Sequence, residues 1–99
     1  MIFHIGRSSA PQGPITISSV SGGSCRLDWH PPKDDGGSKI INYLVQKCDI
    51  NDKEWTNVTR VCRNTSINVS GLNLGGTYNF RVKAKNSAGF MSEPLESGH

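Results

Sequence analysis

The sequence predicts an all-β fold, an antiparallel β-sandwich of about seven strands. Three features point there. Apolar residues recur at every second position in several short runs, as in "SCRLDWH" and "TYNFRVKAKN", which is the pattern of a strand with one face dry and one face wet. Clusters of Gly, Pro, Asn, Asp and Ser separate these runs, and each of those residue types favours a turn for its own physical reason. No segment shows the three-and-four spacing of an amphipathic helix, and there is no internal repeat or low-complexity tract.

In chain order, "ITISSV" (15–20) opens the domain. In "SCRLDWH" (24–30), Cys25, Leu27 and Trp29 point inward while Arg26, Asp28 and His30 alternate outward. "IINYLVQKC" (40–48) places Tyr43 and Val45 inside, joined by Ile40 or Ile41, with Leu44 and Gln46 outside. "KEWTNVT" (53–59) and "TSINVS" (65–70) are shorter strands. In "TYNFRVKAKN" (77–86), Tyr78, Phe80, Val82 and Ala84 face the core, and Asn79, Arg81, Lys83 and Lys85 face water. "GFMSEP" (89–94) supplies a last strand that stops at Pro94, because proline cannot donate to a ladder. Trp29, the largest apolar block, is expected between the two sheets, and its truncation to alanine should cost about 3–5 kcal/mol.

The chain has 99 residues, the size of one domain with one modest core. Residues 11–97 are assigned to that domain. Residues 1–10 read as a flexible lead-in, a native linker or a cloning remnant, and the Gly-, Ser- and Pro-containing "GRSSAPQGP" that begins at Gly6 runs on to Pro14. No apolar run is long enough to span a bilayer. The net charge is +3, from 11 basic and 8 acidic residues, too mild and too dispersed for a nucleic-acid binder. Cys25, Cys48 and Cys62 make an odd count, which favours reduced thiols over a disulfide framework. Against that stand Asn-x-Ser/Thr triplets at Asn57, Asn64 and Asn68, which carry glycans only in a secreted protein.

The one acidic cluster, Asp34-Asp35 in "PPKDDGGSKII", invites a metal reading. Calcium requires several spaced oxygen donors, and two adjacent side chains in a turn diverge. The turn reading is favoured: Pro31 and Pro32 end a strand, Asp34 or Asp35 caps the turn, and Gly36 and Gly37 let it close. His4, His30 and His99 show no metal-ligand spacing with the cysteines. Cys25 is expected to be a small buried hydrophobe, with Cys48 and Cys62 nearer the surface. No serine sits in a nucleophile-elbow motif, no thiol has a base nominated beside it, and neither "GLNLGG" nor "DDGG" matches a phosphate-binding loop. No catalytic residue, cofactor or metal is predicted. No Arg-Gly-Asp triplet occurs. The one surface feature of interest is the row Arg81, Lys83 and Lys85 on the outward face of a single strand, with Lys47 and Arg63 as cations that could join it. It offers a docking face for an acidic partner or a sulfated glycan, although a solvated strand that resists edge pairing is the plainer and favoured reading.

Trp29 followed by Pro31-Pro32, then Tyr43-Leu44-Val45, then "GLNLGGTYNFRVKAKNSAG", in this order and spacing, resemble a fibronectin type III domain with immunoglobulin-like topology over residues 11–97. Leu72 lies six positions before Tyr78, as in the family's tyrosine corner. The resemblance implies that the Tyr78 hydroxyl returns to the chain near Leu72, a hydrogen bond worth on the order of 1 kcal/mol. "HPPKDDGGSKIINYLVQKCD" with the later "SEP" looks most like the modules of titin and related giant muscle proteins. That likeness implies a non-catalytic structural and interaction module of a sarcomeric scaffold, a spacer, docking surface and mechanical element. Its implied partners are myosin or other thick-filament or M-line proteins and the neighbouring modules of its parent chain, with the isolated domain monomeric. A parent chain of this kind could carry a kinase elsewhere. The alternative expectation is an extracellular module of an adhesion protein or receptor.

Overall fold

The structure, a computed structural model, describes residues 4–97. Alternation of apolar and polar residues yields seven strands: β1 (Gln12–Ser21), β2 (Ser24–His30), β3 (Ile40–Asp49), β4 (Trp55–Cys62), β5 (Ser66–Val69), β6 (Tyr78–Asn86) and β7 (Leu95–Glu96). They form two antiparallel sheets, β1-β2-β5 and β4-β3-β6-β7. No helix occurs among the described residues.

The inward residues of both sheets meet in one dry layer. Ile15, Cys25, Leu27, Trp29 and Val69 come from one sheet; Tyr43, Val45, Phe80, Val82 and Ala84 come from the other. Trp29 meets Tyr43 edge to face, with ring centroids 5.5 Å apart and planes at 70°, a geometry that sets the positive edge of one ring on the negative face of the other. The indole Nε1–H has no acceptor, so Trp29 contributes area and shape rather than a hydrogen bond. Of the two isoleucines expected at the start of β3, Ile40 packs against the core and Ile41 is exposed.

Leu72 and Tyr78 sit at the rim, half-buried. The Tyr78 hydroxyl accepts the Asn73 backbone N–H at 2.8 Å, and its ring stacks on Phe80 at 6.4 Å. This bond pins the 71–77 loop to the start of β6.

Two expectations are corrected. The last strand does not stop at Pro94 but begins just after it, at Leu95–Glu96. Before the proline, Met91 forms only an isolated bridge with Lys85. Ser92 then donates its N–H to the Ala84 carbonyl and accepts the Ala84 N–H on its hydroxyl, each at 2.8 Å. A side chain thus takes the place of a ladder carbonyl, and regular pairing resumes only once Pro94, which has no N–H, is passed. Cys48 is buried rather than near the surface. Pairing of β3 with β4 shifts register between Tyr43 and Gln46, and Cys48 lies opposite Trp55 and Asn79. It is therefore covered on the outer side of the sheet and stands apart from the core cluster.

The chain before β1 is tied to the sandwich. Gly6 and Ser9 donate their N–H groups to the carbonyls of Gly36 and Asp34 at 2.9 and 2.8 Å. The buried Asn86 amide donates to the carbonyls of Gly6 and Asp35. The 34–37 turn is closed from within: Asp34 and Asp35 each accept an N–H two residues on, from Gly36 and Gly37, both at 2.9 Å. Both glycines have positive φ. A Cβ on Gly37 would lie 2.7 Å from the His4 carbonyl, and one on Gly36 would collide with the Gly6 carbonyl. These residues therefore shape a bed for the lead-in.

Candidate interaction face

Register, not sequence proximity, assembles the candidate site. On the outward side of the larger sheet, β3 and β6 set Gln46 against Arg81, Leu44 against Lys83 and Asn42 against Lys85. β4 brings Asn57 against Gln46. The three cations singled out in the sequence stand in one row on this face, each half-buried along its stem. Lys47 does not join them. It pairs with Phe80 and Thr56, a position of opposite parity, and lines a recess with Asp49, Asp52 and Glu54. Arg63 lies past the end of β4, beside Lys39 and Ile41. The cation that does join is Arg60.

At one end of the row the Arg81 guanidinium lies 4.2 Å over the Trp55 ring, where the ring quadrupole attracts it and the planar group is held flat. Its Nε–H donates to Gln46 Oε1 at 2.6 Å. Gln46 Nε2 then meets one end of the Asn57 amide at 2.9 Å. The other end of that amide lies 3.0 and 3.2 Å from Arg60 Nε and Nη2. Two guanidinium donors thus bracket two amides in a chain of three contacts. Each amide offers one acceptor and one donor, so whichever way the amides are turned, one contact sets donor against donor.

A groove of about 430 Å³ runs from this chain toward Lys85. Its floor is Asn42, Leu44 and Gln46; Arg60 and Val61 stand on one side and Lys85 and Met91 on the other. Val61 and Met91 are exposed apolar groups. The ion pairs among the described residues are Arg7–Glu93 and Arg26–Asp28, so Arg60, Arg81, Lys83 and Lys85 have no carboxylate within salt-bridge reach. Acids do stand on the β7 side of the row. Glu96 stands opposite Arg81, and Glu93 is held below the usual carboxylate range first by the hydrogen bond from Arg7.

Residues 9–97 match the family model of the fibronectin type III domain. The chain is a member of that family. The module is 40% identical over 86 residues to fast-type myosin-binding protein C of Mus musculus, covering 87% of this chain and 8% of that one. It is 42% identical over 89 residues to myosin-binding protein H of Gallus gallus, covering 90% of this chain and 16% of the relative. Among solved structures it is similar to domains of titin, with 40% identity, a TM-score of 0.78, and coverage of 89% of this chain and 30% of that one. It is also similar to the twitchin kinase region from C. elegans, with 33% identity, a TM-score of 0.80, and coverage of 89% and 15%. The module thus spans under a tenth of the myosin-binding protein C chain. These relatives are muscle proteins, and the module is homologous to the fibronectin type III modules they carry.

Within the fibronectin type III module no group of three or more His, Cys, Asp and Glu side chains could hold a metal, among the described residues. Burial raises the Cys25 thiol pKa, which keeps this core thiol protonated. Cys62 is half-buried and donates weakly to the Asn64 and Ser66 carbonyls. His30 is exposed, and His99 lies outside the described residues.

Proposed function

We propose that this module is a non-catalytic structural and protein-interaction unit of a giant sarcomeric scaffold protein of the titin kind, serving as spacer, docking surface and mechanical element. The observation that carries the reading is where the chain enters and leaves. The lead-in lies against the 34–37 turn and Asn86, at the end of β6. The last described residue, Ser97, exchanges hydrogen bonds with Phe80 near the start of β6. Chain direction therefore carries through a body whose extents are 55 × 24 × 21 Å, and such units can be strung in series. Tension would load β1 and β7 along their lengths, so that ladder bonds shear together instead of peeling singly.

The names of the relatives support the choice of partner. Myosin-binding protein C and H point to myosin or another thick-filament or M-line protein as the partner of this module too, in a cytoplasmic, sarcomeric setting. The test is to express the tagged module in cultured muscle cells and image it against thick-filament markers. Banding with the thick filament is expected. Diffuse staining together with failure to co-sediment with myosin filaments would remove the docking role. Stretching a chain of repeated modules tests the mechanical role: each should unfold as a unit and release roughly 25–30 nm of chain.

A further inference from the structure

We propose that the groove between Arg60 and Lys85 binds an acidic, extended segment of a partner protein. One carboxylate sits between Asn57 and Arg60, and a second lies near Lys85. The first observation is the donor excess. Arg81, Gln46, Asn57 and Arg60 form a chain that leaves one donor facing another. With Asn57 Oδ1 accepting from Gln46, that contact falls between the Asn57 amide nitrogen and Arg60, where an incoming acceptor-only oxygen can accept a hydrogen bond from each. A carboxylate does so with charge-assisted bonds from Arg60, whose guanidinium donates to two oxygens side by side. The second observation is charge. Among the described residues Arg60 and Lys85 have no paired carboxylate, and the acids on the β7 side, Glu96 opposite Arg81 and Glu93 held by Arg7 and also drawn toward Lys83, lie away from the groove. The third is shape. Asn57 shares the level of Arg81 across the sheet through Gln46, and Lys85 lies four strand positions from that level, roughly 13 Å along the strands at the rise of a β-strand, so the two ends of the groove match acidic residues about four apart in an extended segment. Leu44, Val61 and Met91 line the interval, which suits an apolar side chain between the two acids. Trp55 holds the Arg81 plane flat over the approach.

The inference takes from the proposed function only that the partner is a protein. Its failure would leave the spacer and mechanical roles standing, because neither uses this groove. The probe is a synthetic twelve-residue peptide with glutamates four residues apart and a leucine between them, titrated into the isotope-labelled module at low salt. The side-chain amide signals of Asn57 and Gln46 should shift together with backbone signals of β3, β4 and β6, while those of β1, β2 and β5 stay. Arg60→Gln should weaken binding about tenfold, the loss of one charge-assisted contact. Asn57→Asp should fill the acceptor position from within. It should weaken binding at least as much while leaving Tm unchanged or raised. Asn68→Asp, which adds the same charge on the opposite sheet, should change affinity less than twofold. Equal losses from Asn57→Asp and Asn68→Asp would overturn the site, leaving only diffuse attraction to a basic module. So would a sulfated heparin fragment that shifts the same amides while the peptide shifts none.

Discussion

The two sheets have the same inner face and different outer ones. Both send alternate apolar side chains into one core around Trp29. Outside, the β1-β2-β5 sheet carries Thr16, Ser18, Arg26, Asp28, Ser66 and Asn68, aligned across the strands by register. Its one cation in this set is neutralised on its own strand, with Arg26 Nε 3.1 Å from Asp28 Oδ2. The β4-β3-β6 face gathers four cations from two strands, sets polar amides between them and, among the described residues, places no carboxylate within ion-pair distance of them. One face satisfies itself. The other presents donors that only water or a partner can meet. A surface therefore becomes a docking candidate by leaving its donors unmatched, and the number of charges matters less.

Substitutions can break or sharpen that contrast. The largest effect should come from the wall both sheets share. Trp29→Ala should cost about 3–5 kcal/mol in chemical denaturation, and a loss under about 1 kcal/mol would mean that the two layers do not meet there. Trp55→Ala acts on one outer face alone. It removes the platform under Arg81 and the cover beside Cys48, and should cost about 1–2 kcal/mol. A thiol reagent should then label Cys48 faster than in the unsubstituted module. On the opposite face, a double-mutant cycle of Arg26→Ala with Asp28→Ala should give a coupling of only about 0.2–1 kcal/mol, because both side chains are exposed.

The smallest effect is at the β7 edge. Arg7 depresses the Glu93 pKa, so their tie holds at neutral pH and is lost as pH falls through that lowered value. Carboxyl titration by NMR should show Glu93 below the ordinary range, and Arg7→Gln should return it there. No return would mean that the lead-in does not dock through this pair.

Much of the fold can be read in the residues. The stretch "SCRLDWH" coincides with β2, Ser24–His30, because strict alternation admits only one way to hide Leu27 and Trp29 together. The end of the chain resisted for a local reason: the Ser92 hydroxyl stands in for a ladder acceptor, and nothing in "GFMSEP" signals that substitution. Cys48 resisted because a register shift in the β3–β4 ladder decides what covers it. The candidate face was half visible. Arg81, Lys83 and Lys85 share a strand, and their period shows that they share a side. Trp55, Asn57 and Arg60 were missed, since alternation within β4 does not say which residue of β3 each one meets. Their only sequence signal was an aromatic and a cation in a neighbouring strand.

The sequence alone determined the alternating dry faces of β2, β3 and β6 and that the fold is a two-layer sandwich. These follow from local sterics and the cost of wetting apolar surface, both of which act over a few residues. Only the tertiary structure decided that Arg60 and Arg81, 21 positions apart in the chain, share one line of amides, and that the 34–37 glycines receive the lead-in. Such contacts depend on strand register and the path of the chain between elements, and these are fixed only when the whole core closes.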